Sequence, residues 1–152
     1  MTQSSTPSAL LEQPHRPRPW PLRARLVVCL GSLSACLSVV FSAAFAHLPV
    51  FAGGVPVMVQ TALTQQQFHS LGLLLTGLAL GVCGASRWLL SAAWLMLVGL
   101  VLFSFNLYAR HVWGFDAMRA LVPWGGGAWI LAWLSLAVGF SKGFDGLAGR
   151  LP

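Results

Sequence analysis

An all-α fold, a four-helix transmembrane bundle with both termini cytoplasmic, is what the sequence predicts, and three observations predict it. Hydrophobic residues fill 57% of the 152 positions and charged residues only 8%, about a third of the share with which a soluble domain covers its surface. Apolar runs of about 20 residues, enough to cross a bilayer, recur along the chain and are parted by turns containing Pro, Gly or Arg. Nine Lys and Arg stand against three acids, for a formal net charge of +6. In a soluble protein that excess would suggest nucleic acid. Placed at the ends of apolar runs, it reports orientation and anionic lipid headgroups instead, so the expected partners are the lipid bilayer and other membrane proteins, not nucleic acid.

Taken in order, residues 1–25 are polar and basic, with Pro14, Pro17, Pro19 and Pro21 interleaved with His15, Arg16, Arg18 and Trp20. Each proline removes a donor and restricts its predecessor, so a disordered cytoplasmic tail is expected, with Trp20 at the headgroup boundary. Residues 26–47 form the first apolar run. Ala44-Phe45-Ala46 resembles a signal-peptidase site, but the run exceeds the roughly 7 to 15 residues of a signal core, and a retained helix is expected. Pro49, Gly53, Gly54 and Pro56 make a turn. Residues 57–83 form the second run, 88–109 the third and 122–140 the fourth, which starts at Pro123 and Gly125-Gly126-Gly127. Residues 141–152 are expected to be a short cytoplasmic tail.

With four crossings the termini share a side. That side holds Arg16, Arg18, Arg23, Arg25, Arg87, Lys142 and Arg150, the other only Arg110 and Arg119, a bias that places both termini in the cytoplasm. Cys29, Cys36 and Cys83 lie within apolar stretches and have the spacing of neither a disulfide framework nor a zinc site; they read as small hydrophobes.

The first half of the second run is the most informative stretch. Gln60, Thr61, Thr64, Gln65, Gln66, Gln67, His69 and Ser70 crowd a membrane helix, and each polar group there needs a protein or water partner. At 100° per residue Gln60, Thr64 and Gln67 share one face, while Gln65, Gln66 and His69 share another. Ser104 and Tyr108, four apart on the third run, lie at a similar depth. An inward network of Gln60, Thr64, Gln67, His69, Ser104 and Tyr108 is therefore expected, orienting the helices and offering a place for a small polar or amphipathic ligand.

Paired histidines could hold a b-type haem in a small bundle. His47 closes the first run, whereas His69 lies about 18 Å further along the second at 1.5 Å per residue, so one haem cannot use both. His47 and His111 match better in depth and are the candidate metal ligands, with Asp116 as a third. No cofactor is expected. Glu12, Asp116 and Asp145 fall in tails or a loop, leaving no material for an intramembrane carboxylate relay, and no serine stands in a nucleophile motif; no enzymatic activity is expected.

Gln60-Thr61-Ala62-Leu63-Thr64-Gln65-Gln66-Gln67-Phe68-His69 resembles the Gln-Thr-Ala and Phe-His pattern of domain-of-unknown-function family 423, the YgdD-like small integral membrane proteins. Leu102-Phe103-Ser104 with Leu107-Tyr108 is similar to that family's Leu-Phe-Ser-Gly-Ser-Leu-Tyr motif, Val122-Pro123-Trp124-Gly125-Gly126 to its Thr-Pro-x-Gly-Gly motif, and His47 to the histidine ending its first helix. The resemblance covers about residues 31–140. Its Gly-Ala-Phe-Gly-Ala-His stretch reads Ser42-Ala43-Ala44-Phe45-Ala46-His47 here, and Phe105 and Asn106 stand where it has a Gly-Ser pair, adding bulk at helix contacts. The resemblance implies a four-helix multi-pass protein of the bacterial inner membrane and brings no established activity.

The expected function is that of a non-enzymatic accessory or interaction subunit. The alternatives are a small carrier or channel, which would need a continuous polar route past the apolar half from Leu71 to Val82, and a haem- or metal-binding redox subunit.

Overall fold

The structure, a computed structural model, describes the backbone of residues 19–148 and the side chains through Gly143. Residues 1–18 and 149–152 of the expected tails lie outside the described residues. Within these bounds the chain is all-helical, with no strand among the described residues. Four long helices follow one another: α1 (Leu22–His47), α2 (Val57–Val82), α3 (Arg87–Trp113) and α4 (Val122–Ala148). Helices α1, α3 and α4 are long and apolar enough to cross a membrane. Helix α2 is equally long, at 26 residues, but its Gln-rich half dilutes its apolar character.

Three boundaries differ from the sequence expectation. Helix α1 starts at Leu22, because Pro21 sits just ahead of the first turn in extended conformation, φ −60° and ψ 142°, where its missing N–H costs no helical hydrogen bond. Helix α3 runs on to Trp113 and stops at Gly114, whose φ of +69° forms a left-handed cap. Helix α4 continues through Ala148, since its last described side chains still find partners: Lys142 Nζ lies 5.4 Å from the centre of the Trp88 ring, and Gly143 leaves room for Cys83.

The helices pair as two hairpins, α1 on α2 and α3 on α4, joined chiefly through α2 and α3. Helix α1 presents a stripe of mostly small residues to α2, namely Ala24, Val27, Gly31, Ser34 and Ser38, all buried. A side chain at Gly77 would come within 2.9 Å of the Val28 backbone nitrogen, and one at Gly81 within 2.9 Å of the Trp20 indole. The four-residue glycine spacing in α2 is thus the seam on which α1 closes, as in other close-packed membrane helices. Gly125 does the same for α4, where a Cβ would lie 2.8 Å from the Phe103 nitrogen.

Helix α3 is wound as a π-helix from Leu100 to Phe105. The wider turn brings Ser104 onto α2 and leaves Asn106 to bind the following loop, its amide donating to Leu102 O at 3.1 Å and Met118 O at 2.6 Å. Phe45 and Phe105, two of the bulky departures from the family pattern, join Phe41, Phe51 and Tyr108 in an aromatic cluster, with Phe45 and Tyr108 centred 5.1 Å apart.

Candidate functional site

The polar half of α2 splits into an inner lock and an outer face. Inside, Gln66 is 0% exposed and ties three helices: Tyr108 Oη on α3 donates to Gln66 Oε1 at 2.9 Å, and Gln66 Nε2 donates to the Ser34 carbonyl on α1 at 3.0 Å. One turn on, the Ser70 hydroxyl lies 2.7 Å from that of Ser34 and 2.6 Å from the Gln66 carbonyl. A serine has one hydrogen to give, so Ser70 donates to the carbonyl and Ser34 supplies the bond between hydroxyls. Ser104 Oγ donates to the Ala62 carbonyl at 2.9 Å. Each polar side chain of this lock is bonded to another protein group, so the lock orients the helices.

The expectation that Gln60, Thr64 and Gln67 face inward is corrected: all three are exposed. Gln60 Nε2 reaches back to the Val55 carbonyl at 2.9 Å and Thr64 Oγ1 to the Gln60 carbonyl at 3.1 Å. The rotation of α2 is decided by Gly77, Gly81, Ser70 and Ala62, which must lie against α1 and α3 for the backbones to approach. That rotation carries Gln66 in and Gln67, 100° further round, out. Of the expected network residues, Ser104 and Tyr108 join the lock, and His69 is buried but stands apart from it. Gln66, Ser34 and Ser70 are the members that sequence reasoning missed; the signal was the small-residue period from Ala24 to Ser38. A Gln67→Leu replacement, removing an exposed amide that holds no other part of the protein, is expected to leave the thermal midpoint in detergent unchanged or raised, since no protein contact is lost.

His69, 4% exposed, lies flat on Trp129 of α4, ring centres 3.8 Å apart and planes 6° from parallel. Its Nδ1 is 2.8 Å from the Gln65 carbonyl. A carbonyl only accepts, so Nδ1 carries the hydrogen, and in the neutral ring Nε2 is a bare acceptor. Trp129 is held in turn by its Nε1, which donates to the Met96 carbonyl at 3.2 Å, and its ring lies over Gly99. Around this stack Gln65, Phe68, Phe103, Gly126, Ile130 and Trp133 line a groove of about 340 Å³ between α2 and α4.

The sequence profile of the family described as "Protein of unknown function (DUF423)" matches residues 42–126, the span that carries α2, α3, the π-helical turn and Gly125. The chain belongs to the DUF423 family. The UPF0382 membrane protein YwdK of Bacillus subtilis is 30% identical over 122 residues, 78% of this chain and 98% of the relative. The UPF0382 membrane protein SSP2132 of Staphylococcus saprophyticus is 32% identical over 122 residues, again 78% and 98%. That of Staphylococcus haemolyticus, SH2409, is 30% identical over 121 residues, 78% and 97%. No solved structure matches the chain at a significant level. With these relatives and three long apolar helices, this DUF423 member is a membrane protein.

The other candidate residues of the DUF423 chain lie apart. His47 is exposed at the end of α1, and His111 Nδ1 is engaged at 2.9 Å by the Leu107 carbonyl. Asp116, considered as their third ligand, is instead paired with Arg110 at 2.8 Å. Among the described residues no three His, Cys, Asp or Glu side chains come together as a metal site.

Proposed function

We propose that this DUF423 protein is a non-enzymatic accessory subunit of the bacterial inner membrane that associates with a second membrane protein through the outer face of α2. One observation carries the reading: Gln60, Thr64 and Gln67, at i, i+4 and i+7, form an exposed polar stripe on a helix whose lower outward positions are Leu71, Leu75, Leu78 and Val82. Gln67 lies about 15 Å beyond the start of α2 at 1.5 Å per residue, and its carboxamide has no hydrogen-bond partner among the described residues. Facing hydrocarbon, an unpaired amide costs roughly 2–7 kcal/mol. A partner helix that hydrogen-bonds to it removes that cost, as polar side chains do between membrane helices.

A photo-crosslinking residue at position 64, in native membranes, should give a discrete adduct that is lost when Gln60→Leu and Gln67→Leu are combined, with the thermal midpoint unchanged. An adduct of twice the chain mass identifies the partner as a second copy. No adduct, or one indifferent to both replacements, overturns the reading.

The closed hydrogen bonding of Gln66, Ser70 and Tyr108, with Leu73, Leu80, Met96 and Leu136 fully buried beyond it, favours an accessory role over a carrier. Solute flux in proteoliposomes that disappears with Gln66→Leu would favour the carrier instead. The same reading has four crossings and both termini in the cytoplasm, supported by the gathering of Arg23, Arg25, Arg87 and Lys142 at one end and of Arg110 and Arg119 at the other. An alkaline phosphatase fused after residue 152 should be inactive and one inserted at residue 116 active; the reverse pattern would invert the orientation.

A further inference from the structure

The groove beside His69 is built differently from the lock. Its imidazole is nine-tenths buried and fixed on both sides, by the Gln65 carbonyl at Nδ1 and by Trp129 against its face. Yet Nε2 has no hydrogen-bond partner among the described residues and is not sealed off by protein, the one buried polar side-chain atom left unpaired among them being Asn106 Oδ1. The Gln65 carboxamide, also without a partner among the described residues, lines the same groove. An acceptor held in one tautomer at the wall of the groove is half of a hydrogen bond, and the Gln65 amide lining the same groove can donate. One small group satisfies both at once: a hydroxyl, which gives its proton to Nε2 and takes one from the amide.

What would carry that hydroxyl follows from the walls. Phe68, Phe103, Trp129, Ile130 and Trp133 are apolar or aromatic, and Phe68 and Ile130 are 56% and 65% exposed at the rim, so in a bilayer the mouth opens sideways to lipid. About 340 Å³ is at the small end of the roughly 300–1,000 Å³ of ligand sites, room for a head and the first part of a tail. A charged head would be costly at this depth, and the groove is lined by no Asp, Glu, Lys or Arg to offset it. Gly126 also lines the groove, and a Cβ there meets nothing within 4 Å, so a larger side chain can be placed at this wall without a clash.

We propose that this groove binds an uncharged, lipid-phase hydroxyl compound, with His69 Nε2 accepting the hydroxyl proton, the Gln65 amide donating to its oxygen, and the aromatic walls holding its apolar body. The site uses none of Gln60, Thr64 or Gln67, so it stands or falls independently of association through the outer face of α2.

The test uses the full chain in detergent with 4-nonylphenol, its methyl ether and 1-dodecanol, reading the ligand-induced rise in thermal midpoint as a titration. At least one of the two hydroxyl compounds should bind saturably. The ether, with the same body and no proton to give, should bind at least ten-fold more weakly than the phenol. The tighter of the phenol and the alcohol tells a ring-headed ligand from an aliphatic one. His69→Phe keeps a ring on Trp129 but removes the acceptor, and Gly126→Leu fills the groove without touching the lock; each should weaken binding at least ten-fold. No saturable binding of either hydroxyl compound, an ether as tight as the phenol, or unchanged binding by Gly126→Leu would overturn the proposal.

Discussion

Gln66→Leu is expected to lower the stability of the folded protein by about 2–4 kcal/mol, whereas Gln67→Leu next to it costs nothing measurable. Two interhelical hydrogen bonds disappear, each worth about 0.6 kcal/mol on average between membrane helices. The larger part comes from what is left behind: Tyr108, 3% exposed, keeps a hydroxyl with no acceptor, and an orphaned buried donor costs about 1–3 kcal/mol. The thermal midpoints of the two variants in one detergent check the contrast. Tyr108→Phe added to Gln66→Leu removes the orphan and should recover part of the loss, because deleting both partners is far less damaging than deleting one. Equal midpoints for the double variant and Gln66→Leu would mean that the hydrogen bond is not the source.

Gly77→Leu is expected to be at least as damaging, and in a different place. A Cβ at that position would lie 2.9 Å from the Val28 nitrogen and 3.3 Å from the Ala24 carbonyl. Backbone cannot step aside as a side chain can, so α1 must move away from α2. Overpacking a tight contact costs about 1–3 kcal/mol and occasionally more. Here the displacement also pulls Ser34 from Gln66 and Ser70, so the lock opens with the seam. Because α1 leans chiefly on α2, its remaining hold is the aromatic cluster of Phe41 and Phe45 with Phe105 and Tyr108. Cysteines placed across the seam should crosslink in the wild-type background and fail to do so in Gly77→Leu. Gly127→Leu is the control, since a Cβ there meets nothing within 4 Å, and a midpoint that falls as far in the control would refute the packing argument.

Much of the architecture was legible because lipid leaves few choices. Composition, the lengths of the apolar runs and the placement of arginines predicted long helices, and the helices are there. Ends were less legible where tertiary contacts extend a helix past its apolar stretch, as when Lys142 lies over Trp88 and Gly143 takes Cys83 against its backbone. The polar cluster of α2 was read correctly as the unusual stretch and wrongly as to its inner face. With Gln, Thr, His and Ser nearly all round the helix, no amphipathic direction exists to give its rotation. The small residues that do decide it are spread over two helices, and their meaning depends on which of them end up opposite one another.

Chemistry at the level of residue types was therefore settled by the chain itself: an oily helical protein, basic at the helix ends, with amides and a histidine in one membrane helix. Assigning those amides to opposite duties took the folded arrangement, in which Gln66 is locked, Gln67 is turned out and His69 is clamped with one nitrogen free. The physical reason is range. Partition into lipid acts on each segment alone and is written locally, whereas the turn of a helix about its own axis depends on contacts between side chains more than thirty residues apart, such as Ser34 with Ser70.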